Sequence, residues 1–129
     1  MATKPDFGLL FLRLTAGAMM MGHGFGKVSD LIAGKTAFPD PIGIGPVPSL
    51  ALAAFAEFLC ALAVVVGFKT RWSAFPVVVT MLVAAFVIHA GDPWDKKEFP
   101  LLYAAAFLTL VFTGGGRYAI DGWLKKRRR

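Results

Sequence analysis

Apolar residues fall in four long runs, Phe7–Gly26, Ser49–Phe68, Trp72–Ala90 and Phe99–Thr113, parted by stretches where charge, proline and glycine collect. A bilayer-spanning helix needs about 20 mainly apolar residues, within a range of ~17–25. The first three runs have that length. The fourth reaches it if its helix begins near Asp95 and continues into Gly114–Gly116. None alternates in polarity as a barrel strand does, and in lipid only helices and closed barrels satisfy their own backbone. The pattern therefore predicts an all-α fold: an integral membrane four-helix bundle forming a single domain over 1–129. Its helices are expected over about 7–27, 49–68, 72–90 and 95–116.

The connections differ in kind. Residues 28–48 contain Pro39, Pro41, Pro46 and Pro48, so regular helix is not expected there. With Phe38 and Ile42 in it, this loop is expected to fold back as a cap. Lys69-Thr70-Arg71 is tight and makes the second and third helices an antiparallel hairpin. The third connection is Gly91–Glu98. After Gly114-Gly115-Gly116, the basic tail 117–129 has Tyr118, Trp123 and Leu124 as expected interfacial anchors.

Composition agrees with the hydropathy pattern. The chain is 57% hydrophobic with a mean hydropathy of +0.63, and 17% of its residues are charged. That apolar share exceeds the ~45–50% of ordinary soluble domains. The pI of about 9.8 does not indicate nucleic acid. No basic face is interleaved with aromatics on a soluble element, and the positive charge gathers in a tail suited to anionic headgroups of the lipid bilayer. The single cysteine, Cys60, allows no internal disulfide. The N-terminus shows no cleavage pattern after the first apolar run, so that run is read as retained.

Charge also orients the bundle. Four spans place Lys4, Lys69, Arg71, Arg117, Lys125, Lys126, Arg127, Arg128 and Arg129 on one side, and Lys27, Lys35, Lys96 and Lys97 on the other. Nine against four puts both termini in the cytoplasm. Trp72 and Trp123 then lie at the inner interface, and Trp94 at the outer one.

Candidate chemistry follows from depth. His23 and Lys27 share a face at the outer end of the first helix, His89 ends the third, and Glu98 opens the fourth. Glu57 lies roughly 12 Å below the outer surface, with Arg13 deeper still. The expected arrangement is an outward pocket with His23, Lys27, His89 and Glu98 at its mouth, Glu57 at its floor and Arg13 beneath. Arg13, Gly17, Met20, Gly24 and Lys27 form one stripe expected to face a close neighbour. Glu57 reads either as a proton relay or ligand carboxylate, or as the partner of Arg13 in a structural ion pair. His23 with Lys27 can hydrogen-bond a ligand carbonyl or reach headgroups. No metal-ligand spacing such as HExxH is present, and no metal is assigned. Met19–Met21 and Cys60 are read as packing.

Three segments resemble the DoxX family: Arg13-Leu14 with Gly17, His23-Gly24 and Lys27; Glu57 with Gly67-Phe68 and Thr70-Arg71; and Gly114-Gly115-Gly116-Arg117-Tyr118-Ala119-Ile120-Asp121. The resemblance implies a small four-helix membrane protein of a bacterial or archaeal cell. Such proteins are associated with quinone-linked redox systems and oxidative stress, among them a thiosulfate:quinone oxidoreductase. The positions that match the family pattern are Arg13, His23, Gly24, Lys27, Glu57 and Arg71; with the pocket expected above, Arg13, His23, Lys27, Glu57 and His89 are the ligand-binding candidates, with Glu57 and His23 as the catalytic pair. Quinone is the implied cofactor. No haem, flavin or iron–sulfur motif is visible, so electrons must come from a redox partner protein or a substrate. The competing expectation is a non-enzymatic membrane scaffold or small transporter whose buried charges are structural.

Overall fold

The first helix begins where Thr3 and Asp6 cap each other. In the computed structural model, which describes residues 3–127, Thr3 Oγ1 accepts from the Asp6 amide and the Asp6 carboxylate accepts from the Thr3 amide. This reciprocal box satisfies donors that a helix start otherwise leaves free. Arg128 and Arg129 of the basic tail lie outside the described residues. Helix α1 runs over Lys4–Ile32, and its 29 residues extend about 43 Å.

Helix α2 covers Pro46–Val66 and widens into a π-helical turn at Phe55–Cys60. Helix α3 covers Thr70–Ile88 and ends in a second such turn, Ala84–Ile88. Helix α4 is Trp94–Thr113, and the short α5 is Ile120–Arg127. The described residues contain no strand, so the fold is all-helical. Of the four long helices, α2 and α3 are long and apolar enough to cross a membrane by length and composition.

The first connection is shorter than expected, because α1 continues to Ile32 and α2 already starts at Pro46. Val28–Ile32 contains no helix breaker. Pro46 and Pro48 sit in a first turn, where a helix has no acceptor for the amide that proline lacks. Asp40 organises what remains of the loop. Its carboxylate accepts from the Ile44 amide at 3.0 Å, the Gly45 amide at 2.8 Å and Ser49 Oγ at 2.8 Å. Desolvation by the surrounding loop pushes the exposed Asp40 carboxyl up, but the bonds from Ser49, Gly45 and Ile44 outweigh it and hold it below the ordinary value of 3.8. A carboxyl depressed by folding adds stability above its unfolded range and loses it as pH falls through the lower, folded value. An NMR titration of Asp40 is expected to show a midpoint under 3.8, with amide protection at Gly45 lost over the same pH interval.

The interior is built from small side chains. Ala16, Ala61, Val64, Ala74 and Val77 pack with Met20, Met81, Phe107 and Leu110. Large apolar side chains stand outside: Phe11, Phe25, Trp72, Phe86, Leu102 and Phe112 are all more than half exposed. Leaving that much apolar area in water forfeits about 25 cal/mol per Å². Surrounding it with lipid forfeits nothing.

Two ends of the chain tie the bundle together. Gly67, at φ 79°, closes α2, with the Phe68 amide bonded to Ala63 O and the Gly67 amide to Val64 O. Asp121 of α5 then accepts from the Lys69 and Thr70 amides at 2.6 and 2.8 Å and from Thr70 Oγ1 at 2.9 Å. A carboxylate from the tail thus supplies the N-terminal cap of α3. Asp6 reaches the same region, accepting from the Arg117 amide at 3.1 Å.

Candidate functional site

The stripe on α1 packs directly against α2. Arg13, Gly17, Met20 and Gly24 are buried, and Lys27 is half-buried. At Gly24 the two helices meet backbone to backbone: a Cβ there would lie 2.4 Å from the Glu57 carbonyl carbon. At Gly17 a Cβ would meet Val65 Cγ2 at 2.5 Å. Gly22 and Gly26 have open space beside them, so only Gly24 of that trio makes close helix contact.

This register decides which charges meet. Lys27 stands one turn beyond Gly24 and donates to Glu57 Oε1 at 2.9 Å. The Glu57 side chain is 4% exposed and that of Lys27 is 27% exposed. Arg13 is not the partner of Glu57. It lies eleven residues below Gly24, about 16 Å along the helix, and is fully buried at the opposite end of α2. There its Nη1 donates to Val65 O at 2.7 Å and Val64 O at 3.4 Å, and its Nε donates to Gly115 O at 3.0 Å. Nη2 is buried without a hydrogen-bond partner among the described residues. The expected Arg13–Glu57 pair is therefore corrected. Arg13 caps the Val65 carbonyl, which the last turn of α2 leaves free, and shares that of Val64 with the Gly67 amide, at a helix end where the dipole favours a cation. It does not line the cavity that holds the other candidates.

That cavity encloses about 870 Å³ between α1, α3 and α4. His23, Lys27, Glu57, His89 and Glu98 all line it, as does Tyr103, which no sequence signal singles out. The Tyr103 ring meets the His23 ring edge to face, with centroids 5.7 Å apart. A smaller cavity of about 330 Å³ lies on the other side of the ion pair, beneath Phe38, Pro39, Pro41 and Ile42 of the proline-rich loop. Lys27, Glu57 and His89 border both. His89 Nδ1 is 2.7 Å from Asp92 Oδ2, which orients the imidazole. Both π-helical turns fall here, one carrying Glu57 and the other ending beside His89. Widened turns of this kind recur at functional sites. Chemically, the arrangement offers a buried carboxylate, a cation and the His23 and Tyr103 rings, with Asp95, Lys96 and Glu98 at the same end and a mainly apolar wall beyond.

A double-mutant cycle reads these contacts directly. Lys27→Met and Glu57→Gln are expected to be strongly non-additive in thermal stability, because either single change leaves a buried group unpaired. Arg13→Met and Glu57→Gln are expected to add to within about 0.5 kcal/mol. Coupling of the second pair as large as that of the first would contradict the register.

Comparison with known proteins places the chain. Over 131 aligned residues it is 30% identical to the inner membrane protein YqjF of Escherichia coli K12, covering 98% of this chain and 99% of that protein. It is also 30% identical to an uncharacterised protein of Haemophilus influenzae Rd, covering 96% of this chain and 95% of the relative. No solved structure matches it. The DoxX family profile matches residues 8–90, which takes in α1, the ion pair and α3 and stops short of the Gly114–Asp121 segment. With that match over more than half its length, the chain belongs to the DoxX family and is a bacterial membrane protein.

Proposed function

We propose that this is a four-span protein of the bacterial cell membrane, both termini cytoplasmic, that binds a quinone or quinol as the membrane subunit of a redox or oxidative-stress system. Four spans are supported by the apolar exterior of all four long helices and by the charge excess at the Lys69 end. Trp72, Trp94 and Trp123 stand exposed near helix ends, where an aromatic belt would lie.

The observation that carries the ligand reading is the Lys27–Glu57 pair, set in the wall of an apolar cavity beside His23 and Tyr103. A quinone is a flat apolar ring with two carbonyl oxygens, and its reduction to the hydroquinone takes up two electrons and two protons. Lys27 or His23 donates a hydrogen bond to one carbonyl, and as Lys27 turns from Glu57 to the quinone the freed carboxylate takes up protons from the aqueous mouth and relays two in succession, one to each oxygen. The electrons come from a partner protein. Arg13, at the far end of α2, holds the frame and touches no ligand.

The test is quinone binding by purified protein in nanodiscs. Glu57→Gln is expected to weaken decylubiquinone about tenfold, the scale of one charge-assisted hydrogen bond. No binding by the unaltered protein, or the same affinity in Glu57→Gln, sinks the reading. Strong Lys27–Glu57 coupling with no quinone-induced rise in Tm would favour the scaffold or small transporter instead, a reading supported by the direct 2.9 Å bond between the two charges.

A further inference from the structure

The larger cavity has a direction. Along α1 its wall runs from Thr15 to Lys27, and along the antiparallel α4 from Ala106 back to Asp95. Each stretch covers about 16–18 Å at the rise of an α-helix. The His23–Tyr103 contact and the Arg13–Gly115 bond set the two helices antiparallel, so the Lys27 end of one wall and the Asp95 end of the other lie together, as do the Thr15 and Ala106 ends. The two ends differ in charge. Charged residues gather at the first and Thr15, Ala16 and Ala106 form the second. The side of the cavity is open between the two helices, and its rim carries Met19, Phe99 and Leu102, which are 62%, 69% and 66% exposed. A rim of that kind faces lipid.

We infer that this groove is the tail site of an isoprenoid quinone, entered sideways from the bilayer, with the headgroup at Lys27–Glu57 and the chain lying along α1 and α4 toward Thr15 and Ala106. The inference rests on the quinone reading above and adds the class of quinone: a lipid-soluble one whose chain contributes to affinity. The groove is about as deep as one leaflet of a ~30 Å hydrocarbon core. A chain entering it runs parallel to its bilayer neighbours. A free, water-soluble quinone needs neither the length nor the lateral opening.

The experiment compares decylubiquinone with the tailless duroquinone, both titrated into protein in nanodiscs. The unaltered chain is expected to prefer decylubiquinone by about tenfold or more, since even two well-buried methylenes at ~0.8 kcal/mol each reach that ratio. In Ala106→Phe, and separately in Thr15→Phe on the facing wall, that ratio is expected to fall to about one. Thermal unfolding of each variant, and the use of both walls, separates a blocked groove from a misfolded chain. Duroquinone binding with no tail preference, or a preference surviving both substitutions, overturns the tail site and leaves the quinone reading standing. Failure of both quinones to bind the unaltered protein overturns the quinone reading itself. Displacement of decylubiquinone by phosphatidylglycerol at equal concentration shows a groove for bilayer phospholipid, and also overturns the proposal.

Discussion

Replacing Arg13 by methionine is expected to cost about 3 kcal/mol or more of stability, read as a large drop in Tm in detergent. The side chain stays long and unbranched, so the loss is mainly polar in origin. Nη1 satisfies Val65 O and Nε satisfies Gly115 O, both away from water. Each buried acceptor left unpaired costs about 1–3 kcal/mol. The Schellman closure at Gly67 already employs Ala63 O and Val64 O, so Val65 O has no other donor close at hand. Arg13→Lys is expected to rescue only part of the loss, because an ammonium on a single stem cannot reproduce the fork that reaches α2 and Gly115 together. An Arg13→Met protein as stable as the unaltered chain would mean these contacts are incidental.

Gly24→Val is the second large effect. Its Cβ would fall 2.4–2.6 Å from Glu57 C, Glu57 O and Phe58 N, all of them backbone, which no rotamer change relieves. Helix α1 must then back away from the wide turn of α2. Overpacking costs typically ~1–3 kcal/mol, and here it also pulls Lys27 off Glu57. The expected signature is paired: a lower Tm, and a Lys27–Glu57 coupling energy near zero once Gly24→Val is present. Gly22→Val and Gly26→Val, with open space around them, are the controls and are expected to change Tm little. Equal damage at all three positions would mean that the loss does not come from the crossing, since valine is the better helix former at each.

Much of this is legible in the chain. The four apolar runs correspond to the four long helices, and the Arg13–Gly17–Met20–Gly24 stripe is the buried face of α1. Those signals survive because burial periodicity is written directly in residue type. Register between helices is not written there. Depth alone places Glu57 between His23 and Arg13, and long side chains bring either within reach. The choice of Lys27 depends on which way the Glu57 rotamer points at the Gly24 crossing. Arg13 is hard to place for a related reason: its acceptors are main-chain carbonyls, which have no residue signature. Tyr103 carries no mark of its own, because an aromatic in an apolar run looks like any other lipid-facing side chain. The helix start at Pro46 and Pro48 is obscured by proline's reputation as a breaker, which does not hold in a first turn.

The wide turn Phe55–Cys60 gives α2 a property of its own as a mechanical part. It works as a register buffer. A π turn advances roughly 80° per residue where an α-helix advances about 100°, so its six residues sweep nearly the same angle as about five α-helical ones. Taking one residue out there, and letting the rest relax to α geometry, would leave the two halves of α2 in phase. Taking one out of the α-helical stretch that follows, at Ala61 or Leu62, would swing Leu50, Ala53 and Glu57 away from α1, while Val65 and Gly67 stayed on Arg13 and α5. The inner half would still assemble and the outer half would face the wrong neighbours. The length of this helix is thus constrained to the single residue everywhere but at its wide turn, although its hydropathy would tolerate a change of several.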